Sequence, residues 1–372
     1  MRDTERSFGV GAILEVDVDA VAGNWRTLCG RHPAGAVGAV VKADAYGLGA
    51  RLVAPRLYRE GCRHFFVAKL DEALAIRPRE SGDLVPGAML AVLGGLPAGT
   101  EAEFAAAAIT PVLGSLAEVA AWAEQARKLG RRLPALLHVD TGMSRLGLDG
   151  RELALLAEDH GRLAGIELRY VMTHLVSAEL AEEPLNRRQI ARFAAACASL
   201  PAARRSIANS SGIFLGPAFA SDLARPGAAL YGINPTPAVE NPMQGTVRLL
   251  ARVLQVRDIE AGETVGYNAT WRAARPSRIA TAGIGYADGF LRSLSGRGVA
   301  FFDARPVPLV GRVSMDLTTY DVTDRPDIGA GDWLELIGPS NTPDQVAEAA
   351  GTNGYEILTS LGSRCARVAK GA

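Results

Sequence analysis

The sequence predicts an α/β protein: an N-terminal (β/α)8 barrel of the TIM type followed by a smaller, predominantly β domain. Three observations carry this. Up to about residue 235, eight short apolar runs alternate with Ala/Leu-rich amphipathic stretches. After about residue 240 the texture changes to closely spaced strand-like runs separated by Gly, Pro and Asp turns. The chain has 372 residues, 48% of them hydrophobic and 22% charged, which is more than one ordinary domain and ample for a large core.

The elements follow in order. Residues 1–11 are charged, lack the apolar segment of a secretory leader, and are expected to form a tail. The run AILEVDVDA at 12 alternates in strand fashion ahead of the first barrel strand, so it is expected to join the sheet of the β domain. Barrel strands are expected at AVGAVVK (36), RHFFVAK (63), AMLAVLGG (88), ITPVLGS (109), PALLHVD (134), LRYVMTH (168), RSIANSS (205) and SDLARPG (221). Between the fourth and fifth, Ser115 and Glu118 make a capping box, Leu116, Val119, Ala123 and Ala126 share a face, and Gly130 closes the helix. The cluster YGINPTPAVENP at 231 marks the boundary, giving a barrel domain over 12–235 and a β domain over 236–372. Strands of the latter are expected in GTVRLLARVLQVRDI, RIATAGIGYADG, PVPLVGRVSMDLTTYDV and DWLELIG. One helix interrupts them, with Thr342 as N-cap, Pro343 at its first position and Gln345 closing the box.

Composition excludes several function classes. Lys+Arg and Asp+Glu are both 40, so the electrostatic footprint of a nucleic-acid binder is missing. No stretch approaches the roughly 20 uninterrupted apolar residues of a membrane span. Cys29, Cys62, Cys197 and Cys365 form no C-x-x-C or zinc-like spacing, which points to reduced thiols, a cytoplasmic location and no structural metal. Only four of the 40 basic residues are lysines, Lys42, Lys69, Lys128 and Lys370. Schiff-base chemistry needs an amine that can lose its proton, so these are its only candidates. Lys128, late in an amphipathic helix, and Lys370, in the terminal tail, read as solvated charges, and Lys69 as a surface residue at a helix start.

In a barrel of this type, chemistry collects at the C-terminal ends of the strands. There the sequence places Lys42, Asp44 and Tyr46 after strand 1, and Asp140, Thr141 and Arg145 after strand 5. His174 follows strand 6, Asn209, Ser210, Ser211 and Gly212 follow strand 7, and Arg225, Pro226 and Gly227 follow strand 8. NSSG and RPG supply small residues, hydroxyls and room for backbone N–H groups to approach a phosphate. With Lys42 opposite, they point to a phosphorylated aldehyde cofactor, pyridoxal phosphate; a phosphate on the substrate fits the same loops. Taken singly, Lys42 reads as a strand-end charge, His174 as a structural histidine and Arg225 as half of an ion pair.

The segment AVVKADAYGLGA (39–50) resembles the cofactor motif of the bacterial alanine racemases, and the resemblance continues along the chain. HVDTGMSRLGL (138–148), VMTHL (171–175), NRRQIARF (186–193), IANSSGIF (207–214), ARPGAALYG (224–232), VGYNATW (265–271), GIGYADG (283–289), GRVSMD (311–316) and GYEILTSLGSR (354–364) stand in family order. The resemblance implies a fold-type III pyridoxal-phosphate enzyme acting as a head-to-tail homodimer with shared active sites. Lys42 would carry the cofactor and serve one face of the substrate α-carbon, and Tyr267 of the partner subunit the other. Tyr46, Ser210 and Tyr355 match phosphate contacts, with Gly227 and Ala228 offering backbone N–H groups, while Asn209 and His174 position the cofactor. Arg225 would face the pyridine nitrogen and, as a guanidinium that keeps its proton, leave that nitrogen unprotonated, which favours racemisation over transamination and decarboxylation. Arg145 would lie near Tyr267 and the substrate carboxylate, and Met315, Asp316, Tyr286 and Tyr355 would crowd the substrate pocket, favouring alanine, with serine as the alternative.

One position departs from the family pattern. Where many members have a carbamylated lysine that orients the arginine, this chain has His138, which cannot supply a stable anion. The competing functions are a fold-type III decarboxylase, against which Arg225 speaks, a non-catalytic pyridoxal-phosphate carrier, for which Tyr267 has no use, and an unrelated phosphate-sugar barrel enzyme.

Overall fold

The computed structural model describes residues 9–78 and 82–371, so most of the expected tail, residues 1–8, lies outside the described residues. The chain divides into two units, a barrel over 21–45 and 49–244, and a second unit over 9–20, 46–48 and 245–371.

The first strand, β1 (Ala12–Asp17), belongs to the second unit. The barrel consists of β2 (Ala36–Val37), β3 (Ala39–Val40), β4 (His64–Val67), β5 (Met89–Val92), β6 (Thr110–Leu113), β7 (Leu133–His138), β8 (Ile166–Met172), β9 (Arg204–Ser206) and β10 (Leu223–Ala224). Its sheet runs β2-β10-β9-β8-β7-β6-β5-β4-β3, with every pairing parallel. β2 and β3 are one strand broken at Gly38, pairing with β10 on one side and β4 on the other, so nine segments make the eight expected strands and close the cylinder. Gly38 is forced there: a Cβ would lie 2.8 Å from the His64 carbonyl oxygen and 2.9 Å from the Phe66 ring.

Helices cover the outside, which is why the strands read as unbroken apolar runs rather than alternating ones. Leu90, Ala91 and Val92 of β5 are all buried, as is every residue of β6. Phe65 and Phe66 point to opposite faces of β4 and both are fully buried, each contributing about 2–3 kcal/mol of apolar transfer. The expected helix runs Leu116–Leu129, with Ser115 Oγ accepting from the Glu118 N–H and Gly130 left-handed at its end. Its buried face is Val119, Trp122, Gln125 and Ala126, one position off the expected stripe because Trp122 reaches deeper than Ala123. The Glu118 carboxylate turns to the Gly114 N–H at 2.6 Å.

The second unit is built from both ends of the chain. Its strands after β1 are β11 (Val247–Ile259), β12 (Thr264–Val265), β13 (Trp271–Arg272), β14 (Ser277–Ala282), β15 (Val299–Phe302), β16 (Arg305–Pro308), β17 (Thr318–Asp321), β18 (Trp333–Ile337) and β19 (Ala366–Lys370). β1 pairs antiparallel with β11, in the register Ile13 to Leu250, and parallel with β19, in the register Ile13 to Ala366. The expected helix covers Pro343–Ala350, and both halves of the Thr342/Gln345 capping box are made. Lys370 corrects one expectation. It closes β19 rather than lying in a loose tail, and its amine is 2.6 Å from Glu15, because the parallel pairing with β1 lays that carboxylate beside it.

Candidate active site

The C-terminal mouth of the barrel gathers Lys42, His138, Arg145, His174, Asn209, Ser210 and Arg225. Lys42 follows β3, where the Val41 N–H is bonded to the Phe66 carbonyl. Beyond it the backbone turns left-handed: Ala43, Asp44, Ala45 and Tyr46 have φ of 50, 54, 55 and 57°. Such residues cost roughly 1–2 kcal/mol each and persist only where surroundings fix them. Here the Asp44 carboxylate accepts from the Ala50 N–H at 2.7 Å, and Glu72 accepts from the Ala43 N–H at 2.7 Å. Burial, then the charge of Arg145, lower the Lys42 pKa from the ordinary amine value, with Glu72 opposing.

Arg225 is 4% exposed and held by neutral acceptors, Nη1 on Ser206 Oγ at 2.5 Å and Nη2 on the Thr173 carbonyl at 2.6 Å. The Ser206 hydroxyl in turn donates to the Leu223 carbonyl at 2.6 Å. No carboxylate pairs with Arg225 among the described residues, and burial lowers its pKa to about 10, still charged at neutral pH. Burial, then Arg225, Arg145, His138 and Lys42, lower His174 to about 3. Burial, then Arg225, with Asp140 opposing and Arg145 adding, lower His138 to about 4. Both imidazoles are therefore neutral near pH 7.

A further carboxylate, Asp140, stands beside His138. Asp140 is occupied by backbone: the N–H groups of Gly142 and Met143 reach Oδ1 at 2.9 Å, and that of Ser144 reaches Oδ2 at 3.1 Å. Burial pushes its pKa up, but these donors and His138 outweigh it and hold the acid below its ordinary value. Arg145, in the exposed loop that follows, has no hydrogen bond or ion pair among the described residues. Neutral His138 gives it no counter-charge, in line with the departure noted in the sequence.

The ends of β9 and β10 are joined through Ser210, 8% exposed, whose Oγ accepts from the N–H groups of Gly227 and Ala229, both at 3.1 Å. Asn209 Oδ1 accepts from the Gly212 N–H at 2.9 Å. Gly227, expected to offer its N–H outward, thus gives it to Ser210, whereas the Ala228 N–H has no acceptor among the described residues. What the mouth can do chemically follows. It holds one buried guanidinium and one exposed one, carboxylates already taken by backbone N–H groups, small residues with an open N–H, and a lysine biased toward its free amine, a fit for a phosphorylated aldehyde and the carboxylate of a substrate. No cluster of metal-ligating residues occurs among the described residues.

The other expected residues lie in the second unit. Tyr46 and Tyr355 stack edge-on with ring centroids 6.4 Å apart, and burial raises the Tyr46 phenol to about 12. Tyr286 and Met315 are brought together by backbone: the Tyr286 N–H bonds the Ser314 carbonyl and the Ala287 N–H the Met315 carbonyl, each at 3.0 Å. Gly285 permits this, since a Cβ there would lie 2.3 Å from the Met315 oxygen. Asp316 pairs at 2.8 Å with Arg364, which also reaches buried Asp288 at 3.1 Å. Tyr267, on a turn where Asn268 and Ala269 are left-handed, is 69% exposed, and Met315 is 53% exposed. Sequence reasoning missed Ser206, Thr173 and Arg364. Ser206 lies inside a strand run, and Thr173 and Arg364 inside family motifs, but nothing in a one-dimensional pattern marks a neutral acceptor for a buried guanidinium.

Models for the N-terminal and C-terminal domains of alanine racemase match residues 16–235 and 246–369. The chain is 57% identical over 357 residues to an alanine racemase of Acidiphilium cryptum, covering 96% of this chain and 98% of that one. It is 50% identical to one of Rhodospirillum rubrum, covering 96% and 95%. Among solved structures it is similar to the alanine racemase of Bartonella henselae with covalently bound pyridoxal phosphate, at a TM-score of 0.92 and 42% identity, covering 97% of this chain and 100% of that one. The biosynthetic alanine racemase of Pseudomonas aeruginosa gives 0.87 and 32%, covering 97% and 99%.

Proposed function

We propose, because this chain belongs to the alanine racemase family, that it interconverts L-alanine and D-alanine by moving the α-proton between two faces of the substrate, with Lys42 on one and Tyr267 of the partner subunit on the other. It is an isomerase, and its cofactor is pyridoxal 5'-phosphate. The observation that carries the assignment is a mouth in which buried Arg225 has only neutral acceptors among the described residues, the nearby carboxylates of Asp44, Glu72 and Asp140 are taken by backbone N–H groups, and a lysine of lowered pKa ends the first barrel strand.

When bound, the cofactor supplies the electron sink that makes the α-proton acidic. Lys42 would hold it covalently, and the Ser210 segment with the Ala228 N–H would receive its phosphate. Tyr46 and Tyr355 are the further candidates for contacts to that phosphate. Arg225, a cation that keeps its proton, would disfavour protonation of the ring nitrogen, while His174 and Asn209 would help hold the ring. Lys42 would take or give the proton on its face, and its lowered pKa makes the free amine accessible nearer neutrality. Inversion needs a second group on the opposite face, because a single base returns the proton where it came from. Tyr267 suits that role in a second copy: it projects from its own unit instead of packing into it. Arg145, without a counter-ion among the described residues, would be available to the substrate carboxylate, and Met315, Asp316, Tyr286 and Tyr355 are the candidates to limit the size of the side chain.

The homodimer is part of this proposal, as is a cytoplasmic location. All four cysteines are free, and no helix among the described residues is long and apolar enough to cross a membrane. The test is a racemisation assay in both directions, with visible spectra, on Lys42→Ala and Tyr267→Phe. Lys42→Ala is expected to lose covalent cofactor and all measurable turnover. Tyr267→Phe is expected to keep the colour and lose about 10²–10⁴-fold in kcat. Racemisation retained by both variants would overturn the two-base assignment.

A further inference from the structure

Behind the mouth, out of reach of any substrate, lies a hydrogen-bonded chain with Gln189 at its root. Gln189 is on the helix Pro184–Ala198 and is fully buried. Its Nε2 donates to Thr141 Oγ1 at 3.0 Å and to the His174 carbonyl at 2.9 Å, and its Oε1 accepts from the Val176 N–H at 2.9 Å. Thr141 and Thr173 share a hydroxyl–hydroxyl bond of 2.7 Å, and both are buried. The Thr173 carbonyl is the acceptor of Arg225 Nη2. One turn further along the same helix, Arg192 donates to the Thr141 carbonyl at 3.0 Å.

We infer that Gln189 is a positioning residue for the racemase reaction: it locks the ends of β7 and β8 together and thereby sets where Arg225 and His174 stand against the cofactor. The inference rests on the racemase assignment above. Three features favour it over simple helix packing. Every polar atom of the amide is used, and each bond runs to a strand end, not to the body of the helix. The residues it grips, Thr141, His174 and Val176, flank Asp140 and Thr173, so a shift of the amide moves both walls of the mouth. Arg225 has no carboxylate to anchor it among the described residues, so its aim depends on the Thr173 carbonyl and the Ser206 hydroxyl alone, and the first of these is held through Thr141 and Gln189.

Gln189→Glu separates this role from packing, because the two side chains have the same shape. An ionised carboxylate in place of the amide has no N–H for Thr141 or the His174 carbonyl, whereas the protonated acid regains one donor. The holoenzyme variant, assayed from pH 6.5 to 9 against the native enzyme at each pH, is expected to weaken cofactor binding and kcat by about tenfold at the alkaline end and to recover on acidification. The visible circular dichroism of bound pyridoxal phosphate should change in step. A ratio to native that stays constant with pH, or an unaltered dichroic band, overturns the inference. Thr141→Val breaks the chain at its next link and decides the matter independently should Gln189→Glu not fold. It is expected to reproduce the dichroic change while Thr141→Ser restores the native band, and a native band in Thr141→Val overturns the role. If Lys42→Ala kept covalent cofactor, the racemase assignment would fail first, whatever these variants showed.

Discussion

The two ends of the barrel use similar residues to opposite purposes. At the N-terminal end, a cleft of about 380 Å³ is lined by His64, Arg77, Arg169, Tyr170 and Arg204. Arg77 is matched by Asp83 at 2.7 Å and by the carbonyls of Ala108 and Ala88, and Arg169 by Glu167 at 2.9 Å. Arg204 lies 4.5 Å over the Tyr170 ring, whose hydroxyl is 3.0 Å from His64 Nε2. The C-terminal mouth instead leaves Arg225 on neutral acceptors and Arg145 with none. Depressed histidines occur at both ends, with His64 lowered to about 4 chiefly by burial. A shifted pKa therefore does not distinguish the two ends; what differs is that Arg77 and Arg169 each have a carboxylate partner at one end, whereas, among the described residues, neither Arg225 nor Arg145 has one at the other.

That contrast can be broken most directly by deleting one arginine from each end. Arg225→Ala is expected to lower kcat by about 10²–10³, since a fixed charge beside the reacting system is removed, with a shift in the visible spectrum of the cofactor. A variant with native kcat and spectrum would show that the unmatched cation at the mouth has no part in the chemistry.

The histidines make the next largest effect, and here the ends should behave alike. His64, His138 and His174 have folded pKa values of about 4, about 4 and about 3, below the ordinary 6.5. The unfolded chain therefore binds protons first as pH falls from 6.5, so stability is fully present above that value and is lost down to about pH 4 and below. Each unit of depression is worth about 1.4 kcal/mol, giving a loss of a few kcal/mol per ring by urea denaturation. His64→Gln should flatten the slope between pH 6.5 and 4 and leave the stability at pH 8 near native; an unchanged slope would refute the contribution of that ring.

The smallest expected effect is that of Arg77→Ala. It should cost about 1–3 kcal/mol of stability, because the carbonyls of Ala88 and Ala108 lose their donor, while kcat and KM stay native. A selective loss of kcat would mean that the closed end communicates with the mouth.

Legibility followed the range of the signal. Barrel strands and helix caps depend on residues a few positions apart, so Ser115, Gly130 and the Thr342/Gln345 box stand where the sequence puts them. The break at Gly38 was hidden, since it comes from the His64 carbonyl on the neighbouring strand. Lys42, His174 and Arg225 could be found at the strand ends because charge after an apolar run is conspicuous. Their supports Ser206, Thr173 and Gln189 are small or neutral and carry no periodicity, and Thr141, though placed at a strand end, gives no sign in the sequence of the hydrogen bonds it makes to Gln189 and Thr173. Gly227 shows the same limit: a glycine in a phosphate-type loop was expected to aim its N–H outward, and Ser210, from another strand, takes it.

The pairing of β1 with β19 fixes an order of events during synthesis. Residues 21–244 can leave the ribosome and close the cylinder while the remaining third of the chain is still being made, because every strand of that cylinder is already present. β1 precedes that cylinder in the chain and must wait until β19 has been made, well after it, before its parallel neighbour exists. β11 can cover one edge of β1 before then, but the other edge stays an open template until β19 is made.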